Sequence, residues 1–173
     1  MQNKKGFTII ELIVVIAIIG VLASIVATNV AGYMAKARNT ARISDVKNYV
    51  AALNMYYADN GQYPAEPSQG SQTLCCLGNY PPSYAGVCAG DSSYPPCTDG
   101  TNTSLAKYFA GLPFGDYGAL SNQLYGYFYA KPGRGGSLFT IDYVLEGINQ
   151  KCGLGQMVTN PTDNTTLCRY SQQ

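Results

Sequence analysis

From Phe7 to Ala35 the chain carries one side chain that is charged at neutral pH, Glu11. Within that run, Leu12 to Ala23 contains no polar side chain at all. Wound as a helix, the segment is roughly 43 Å long. A helix needs about 20 residues to cross a bilayer, so the run is long enough to span one. Lys4 and Lys5 precede it, which keeps the short N-terminus cytoplasmic and sends the bulk of the chain across. A removable secretory signal fits poorly. Its apolar region is only about 7–15 residues and ends at a small-x-small cleavage site. Here the nearest such triplet, Ala35-Lys36-Ala37, lies well past the apolar core.

A plain anchor explains the length of this run but not Glu11. A carboxylate in hydrocarbon costs about 2.5–3.5 kcal/mol on insertion scales unless it finds a partner, so it marks a functional site by default. The stretch Lys4-Lys5-Gly6-Phe7-Thr8-Ile9-Ile10-Glu11-Leu12 resembles the N-terminus of type IV pilins and of the pseudopilins of type II secretion. The resemblance implies cleavage after Gly6 by a prepilin peptidase and N-methylation of the new terminus, Phe7. It also implies an assembly role for Glu11. Physically, the freed amine of Phe7 lies one helical turn from Glu11, roughly 6 Å along the axis. A neighbouring copy displaced by about one turn brings its amine level with this carboxylate. Two charges costly alone in hydrocarbon then compensate each other. Such a pair sets the register of an open, head-to-tail helical assembly. Gly20 costs a helix interior about 1 kcal/mol relative to alanine. Two roles stand open for it: close helix packing through a small face with Ala17, Ala23, Ser24 and Ala27, or the start of a segment that unwinds in the filament, as in the family. Where many members have proline, this chain has Thr28.

Beyond the span, Ile43, Val46, Val50, Leu53 and Tyr57 recur at helical spacing and predict an amphipathic helix half. Arg38, Arg42, Asp45, Lys47 and Asn48 fall largely off that stripe, and Lys36, Arg38, Arg42 and Lys47 against Asp45 leave a net +3 that reads as a solvated face or a lipid-headgroup contact. Asn60-Gly61 is a stop signal. The expectation is one helix from about Thr8 to Asp59. The organisation is a leader (1–6), a transmembrane or filament-core helix (7–35), an amphipathic half (36–60) and a globular head (61–173). Residues 61–103, rich in Pro, Gly, Ser and Cys, read as loop. Ser104 to Ala110 reads as a short helix capped by Ser104. Leu124–Ala130 and Ser137–Glu146 read as strands, with a further short strand near Gln156–Thr159. The second alternates, with Phe139, Ile141, Tyr143 and Leu145 on one face. The fold class is α+β: a long helix on a small antiparallel sheet (about 124–160), with a long disulfide-bridged loop.

Six cysteines point to an oxidising compartment. The segment bounded by Cys152 and Cys168 resembles the disulfide-closed C-terminal loop of many pilins, which implies that pair. One arrangement of the other four is Cys75–Cys88 with Cys76–Cys97. Adjacent Cys75 and Cys76 are poorly placed to join each other. A Cys₄ zinc site needs two pairs of the C-x₂₋₄-C kind, and the sequence has none. No metal and no cofactor are expected. Histidine is absent, which removes Ser-His-Asp and Cys-His chemistry, and no enzyme is expected. Residues 61–173 hold five basic and seven acidic side chains, so no specific nucleic acid is expected. All 15 tyrosines lie at or after Tyr33, and tryptophan is absent. Tyr125, Tyr127 and Tyr129 alternate and read mainly as filling for a half-buried sheet, with an exposed adhesive face as the other reading.

The resemblance implies a structural subunit, inserted in the cytoplasmic membrane before assembly and surrounded by lipid there. Its partners are copies of itself, the prepilin peptidase and an inner-membrane assembly platform. The first reading is a major pilin of an extracellular type IV pilus serving attachment, twitching motility or uptake. The alternatives are a major pseudopilin of type II secretion and a minor adhesive pilin. The cysteine-rich loop favours the surface pilus.

Overall fold

A computed structural model describes residues 6–27, 30–64, 75–78, 101–113, 126–131, 136–159 and 164–173. The chain divides into two compact units, Met1–Arg38 and Asn39–Gln173. The elements are α1 (Ile9–Ala27), α2 (Val30–Asn60), β1 (Cys75–Leu77), α3 (Thr101–Ala106), β2 (Tyr127–Ala130), β3 (Phe139–Glu146), β4 (Gln156–Thr159) and β5 (Thr165–Gln172). The five strands form one antiparallel sheet in the order β1-β2-β3-β5-β4. Helix and antiparallel sheet together confirm the α+β class. The single helix expected from Thr8 to Asp59 is described as α1 and α2, with positions 28 and 29 outside the described residues.

β3 is the spine of the sheet, paired with β2 on one side and with β5 over its full length on the other. The expected face of Phe139, Ile141, Tyr143 and Leu145 is buried in the core, where Val46, Tyr49 and Leu53 of α2 belong to the same cluster. The opposite face is also buried: Thr140, Asp142 and Val144 are shielded from solvent. Asp142 is tolerated there because Arg169, its direct neighbour on β5, grips it with two bonds, Nε to Oδ1 at 2.6 Å and Nη2 to Oδ2 at 2.7 Å. A bidentate charge-assisted pair offsets the desolvation that a lone buried carboxylate would suffer.

Several expectations are corrected here. The buried line of α2 runs through Asn39, Arg42, Val46, Tyr49 and Leu53. It is rotated from the apolar stripe, and Tyr57 is exposed, stacked on Tyr63 at 4.8 Å. Arg42 is therefore no part of a solvated face. The predicted loop 61–103 contains β1, because Cys75-Cys76-Leu77 supplies an apolar run that completes the β2 edge. α3 starts at Thr101, so Ser104 lies inside it rather than capping it. The Asn102 side chain ties this start to the end of β1 by accepting from Gly78 N and donating to the Cys76 carbonyl. β2 and β3 begin at Tyr127 and Phe139, later than expected, and 121–125 lie outside the described residues. β5 is not among the expected strands. Its half-polar sequence, Thr-Thr-Leu-Cys-Arg-Tyr-Ser-Gln, has little strand signal of its own, and pairing with β3 decides its state.

Tyr127 and Tyr129 are core residues, in line with the filling reading, and the adhesive reading fails for both. Tyr125 lies outside the described residues. A buried tyrosine needs a partner for its hydroxyl. Tyr129 donates to the Pro64 carbonyl at 3.0 Å, Tyr63 to Asn54, and Tyr143 to the carbonyls of Cys152 and Leu154.

The Cys152–Cys168 disulfide is present. Cys75 and Cys76 are each disulfide-bonded, while Cys88 and Cys97 lie outside the described residues. The 152–168 bridge pins the 147–155 turn to β5. Closing a loop of this size constrains the unfolded chain by about 3 kcal/mol. Replacing both cysteines with alanine should lower urea-unfolding stability by about 2–4 kcal/mol without changing the sheet order. Circular dichroism of the variant across a urea series checks this.

Candidate functional site

The first candidate is the N-terminal unit. Gly6, Phe7 and Thr8 precede α1, and the Phe7 side chain is 80% exposed. Thr8 and Glu11 close a reciprocal capping box. The Thr8 backbone N–H and hydroxyl both donate to Glu11 Oε2 at 2.8 Å, and Glu11 N–H donates to Thr8 Oγ1 at 3.3 Å. The sequence reading misses this contact, although Thr-x-x-Glu before an apolar run spells it. Glu11 is thus held pointing back toward the N-terminus, and its Oε1 accepts no hydrogen bond among the described residues. The carboxylate has one oxygen committed within its own chain and one left for a donor from outside.

Downstream, α1 is apolar on every side, and its large apolar side chains as far as Leu22 are exposed, from 45% at Val15 to 78% at Ile9. Such a surface is not stable in water and calls for lipid or other copies of the helix. Among the described residues no helix is long and apolar enough to cross a membrane. The span expected from Phe7 to Ala35 includes positions that lie outside the description, so it is not seen whole. Gly20 is helical, and a Cβ added there meets nothing within 4 Å. Nothing in the chain's own fold requires glycine at this place, and no unwinding is seen there in the single chain.

The second cluster sits where α2 meets the end of β3. Asn39 donates to the Glu146 carbonyl and accepts from the Glu146 N–H, at 2.9 and 2.8 Å. Its amide acts as an extra strand partner at the sheet end. Arg42 reaches Glu146 Oε1 at 3.3 Å and donates to the Val144 carbonyl, with the two charged side chains only 6% and 10% exposed. One turn on, Asp45 accepts from the Tyr127 hydroxyl at 2.7 Å. Burial raises the Asp45 pKa above its ordinary 3.8, and the Tyr127 hydrogen bond partly opposes that. Burial also pushes Tyr127 up strongly, and its bond to Asp45 adds to that. A carboxyl raised in the folded state is penalised once ionised. Stability therefore falls as pH climbs from about 3.8 through the raised value. Asp45→Asn keeps the acceptor and removes the charge. It should be neutral or stabilising by less than about 1 kcal/mol at pH 7, since Asp45 is only half-buried. The advantage should disappear below pH 3.8, the ordinary Asp45 value, in paired urea melts.

The scattered aspartates Asp91, Asp99, Asp116 and Asp163 lie outside the described residues. Among the described residues no cluster of His, Cys, Asp and Glu could hold a metal ion.

Residues 1–27 match the prokaryotic N-terminal methylation motif. The chain is 33% identical to type II secretion system core protein G of Dickeya chrysanthemi over 147 residues, covering 85% of this chain and 81% of the relative. It is 42% identical to the protein of the same name from Klebsiella michiganensis over 81 residues, 47% of this chain and 56% of the relative. With that of Escherichia coli (strain K12) it shares 43% over 84 residues, 49% and 57% of the two chains. In these last two the match spans about half the length of the curated relative. No solved structure matches the chain significantly. The methylation motif lies on the segment where Glu11 is held, and the Dickeya match extends across most of both chains. The chain belongs to the type II secretion system core protein G family, a pseudopilin branch within the type IV pilins.

Proposed function

We propose that the protein is a major pseudopilin, a structural subunit that polymerises into a short periplasmic fibre of a type II secretion system. The observation that carries this reading is α1: a helix apolar on all sides, exposed, with one carboxylate at its start. The relatives are type II secretion system core proteins G, which supports the secretion pseudopilus over the surface pilus that the cysteine-rich loop alone favours. The roles in adhesion and twitching go with the pilus reading and are dropped. Cleavage after Gly6 and methylation of Phe7 prepare the terminus. Before assembly the helix rests in the cytoplasmic membrane, and its partners are lipid, the peptidase and the assembly platform. During assembly, copies of α1 replace lipid around one another. Glu11 Oε1 accepts the charge of a neighbour's Phe7 amine, while Oε2 stays on Thr8. The work is mechanical, and no side chain is asked to catalyse a reaction.

Mass spectrometry of sheared surface fibres, beside the envelope fraction of the same cells, tests the location. At native expression the chain should be abundant in the envelope and absent from long sheared fibres. Long surface fibres made mainly of this chain would restore the pilus reading.

A further inference from the structure

The stretch where the apolar run gives way to charge has a feature that assembly does not use. Val30, Tyr33 and Lys36 follow one another at spacings of three on α2, so each neighbours the next along a face about 120° wide. Tyr33 is 72% exposed, and Val30 and Lys36 are exposed as well. Along this face the chain passes from aliphatic to phenolic to cationic within about two turns. That is the gradient a bilayer presents from its acyl region to its phosphates. The sequence restricts the gradient to this place. No tyrosine precedes Tyr33, tryptophan is absent, and Lys36 is the first cation after Lys5. Phe7 and Tyr33 are 26 residues apart in sequence, which in an unbroken helix would be about 39 Å. A bilayer with its interfacial zones is about 40–45 Å thick. As an unbroken helix, the run would carry the two aromatic residues that bracket it to opposite interfaces.

We propose that Tyr33 and Lys36 form a phospholipid-headgroup anchor that fixes how deep the subunit sits in the membrane before assembly. The phenol ring rests at the interface, and the ammonium group of Lys36 meets lipid phosphate one turn further out. Arg38 adds charge at the same level. With depth fixed at this end, Phe7 and Glu11 are held at a constant level at the other, so that each arriving subunit presents them in one register. The proposal rests on the membrane-inserted stage of the function above.

Because the chain has no tryptophan, Tyr33→Trp introduces a single indole, excited apart from the tyrosines at long wavelength, that keeps the amphipathic ring. The full chain carrying it is reconstituted in vesicles of phosphatidylethanolamine with a minor share of phosphatidylglycerol. A nitroxide is placed either on the headgroup or near the acyl chain end. A sister protein carries Ile16→Trp instead. In the Tyr33→Trp protein the headgroup label should quench the indole at least about twofold more than the acyl label does, and the reverse should hold for the Ile16→Trp protein. Adding Lys36→Leu to Tyr33→Trp should shift quenching toward the acyl label. Deep quenching in both proteins, or no quenching at position 33 with deep quenching at 16, overturns the anchor and leaves membrane insertion standing. No quenching in either protein overturns the insertion reading and the anchor with it.

Discussion

Glu11→Gln is expected to reduce assembled fibre at least about tenfold while leaving the amount of membrane-inserted subunit unchanged. The reasoning separates two roles that one carboxylate holds. Within its own chain, Glu11 closes the capping box with Thr8. Glutamine serves that box nearly as well as glutamate. Between chains, on the function proposed above, Glu11 supplies the charge that compensates a neighbour's Phe7 amine. Glutamine cannot do that, and a cation left alone in hydrocarbon costs about 2.5–3.5 kcal/mol. Each tenfold in an equilibrium is about 1.4 kcal/mol, so the loss per contact exceeds tenfold. Thr8→Ala is the converse variant: it keeps the charge and removes the cap, at a cost of about 0.5–2 kcal/mol to α1. Quantitative immunoblots of fibre and membrane fractions should therefore rank Glu11→Gln close to Glu11→Ala, with Thr8→Ala milder than both. If glutamine assembles normally and Thr8→Ala does not, Glu11 acts through the cap and not through charge.

The largest effect on folding is expected at Arg42. Arg42→Ala leaves the Glu146 carboxylate, 10% exposed, without its ion pair. Breaking a buried pair from one side costs about 3–5 kcal/mol, because the remaining charge loses compensation that water does not replace there. That is a large share of the roughly 5–15 kcal/mol by which a domain is stable. The double variant Arg42→Met, Glu146→Leu removes both charges and keeps apolar volume, so it should recover most of the loss. Urea unfolding of the full chain in detergent, followed by near-UV circular dichroism of the buried tyrosines, reads both. A single variant as stable as the parent would mean that solvent reaches Glu146.

These two sites are not equally legible in the sequence. Glu11 stands out because hydrocarbon tolerates so little charge that one carboxylate in an apolar run demands an explanation. Its bond to Thr8 is written in the same four residues, but the demand for an outside partner draws attention away from it. The helical period of α2 and the alternation of β3 are readable, since both depend on local spacing of apolar side chains. Arg42 is misplaced, and Asn39 goes unread, for the opposite reason. Their burial follows from carbonyls and a carboxylate at the far end of β3, more than a hundred residues away. β5 is hidden in the same way: its strand state comes from pairing with β3, while its own residues are half polar. Tyr127 and Tyr129 are placed correctly because an alternating aromatic run fits a core in which hydroxyls find acceptors.

On the function proposed above, a Glu11-dependent fibre of this chain drives secretion. This is tested most directly by the amount of type II substrate proteins reaching the medium from cells lacking the chain, complemented with the parent or with Glu11→Ala. The parent should restore secretion, and Glu11→Ala should leave the substrates in the periplasm although the subunit is present in the membrane at parental level. Full secretion with Glu11→Ala, or full secretion with no copy of the chain at all, would contradict it.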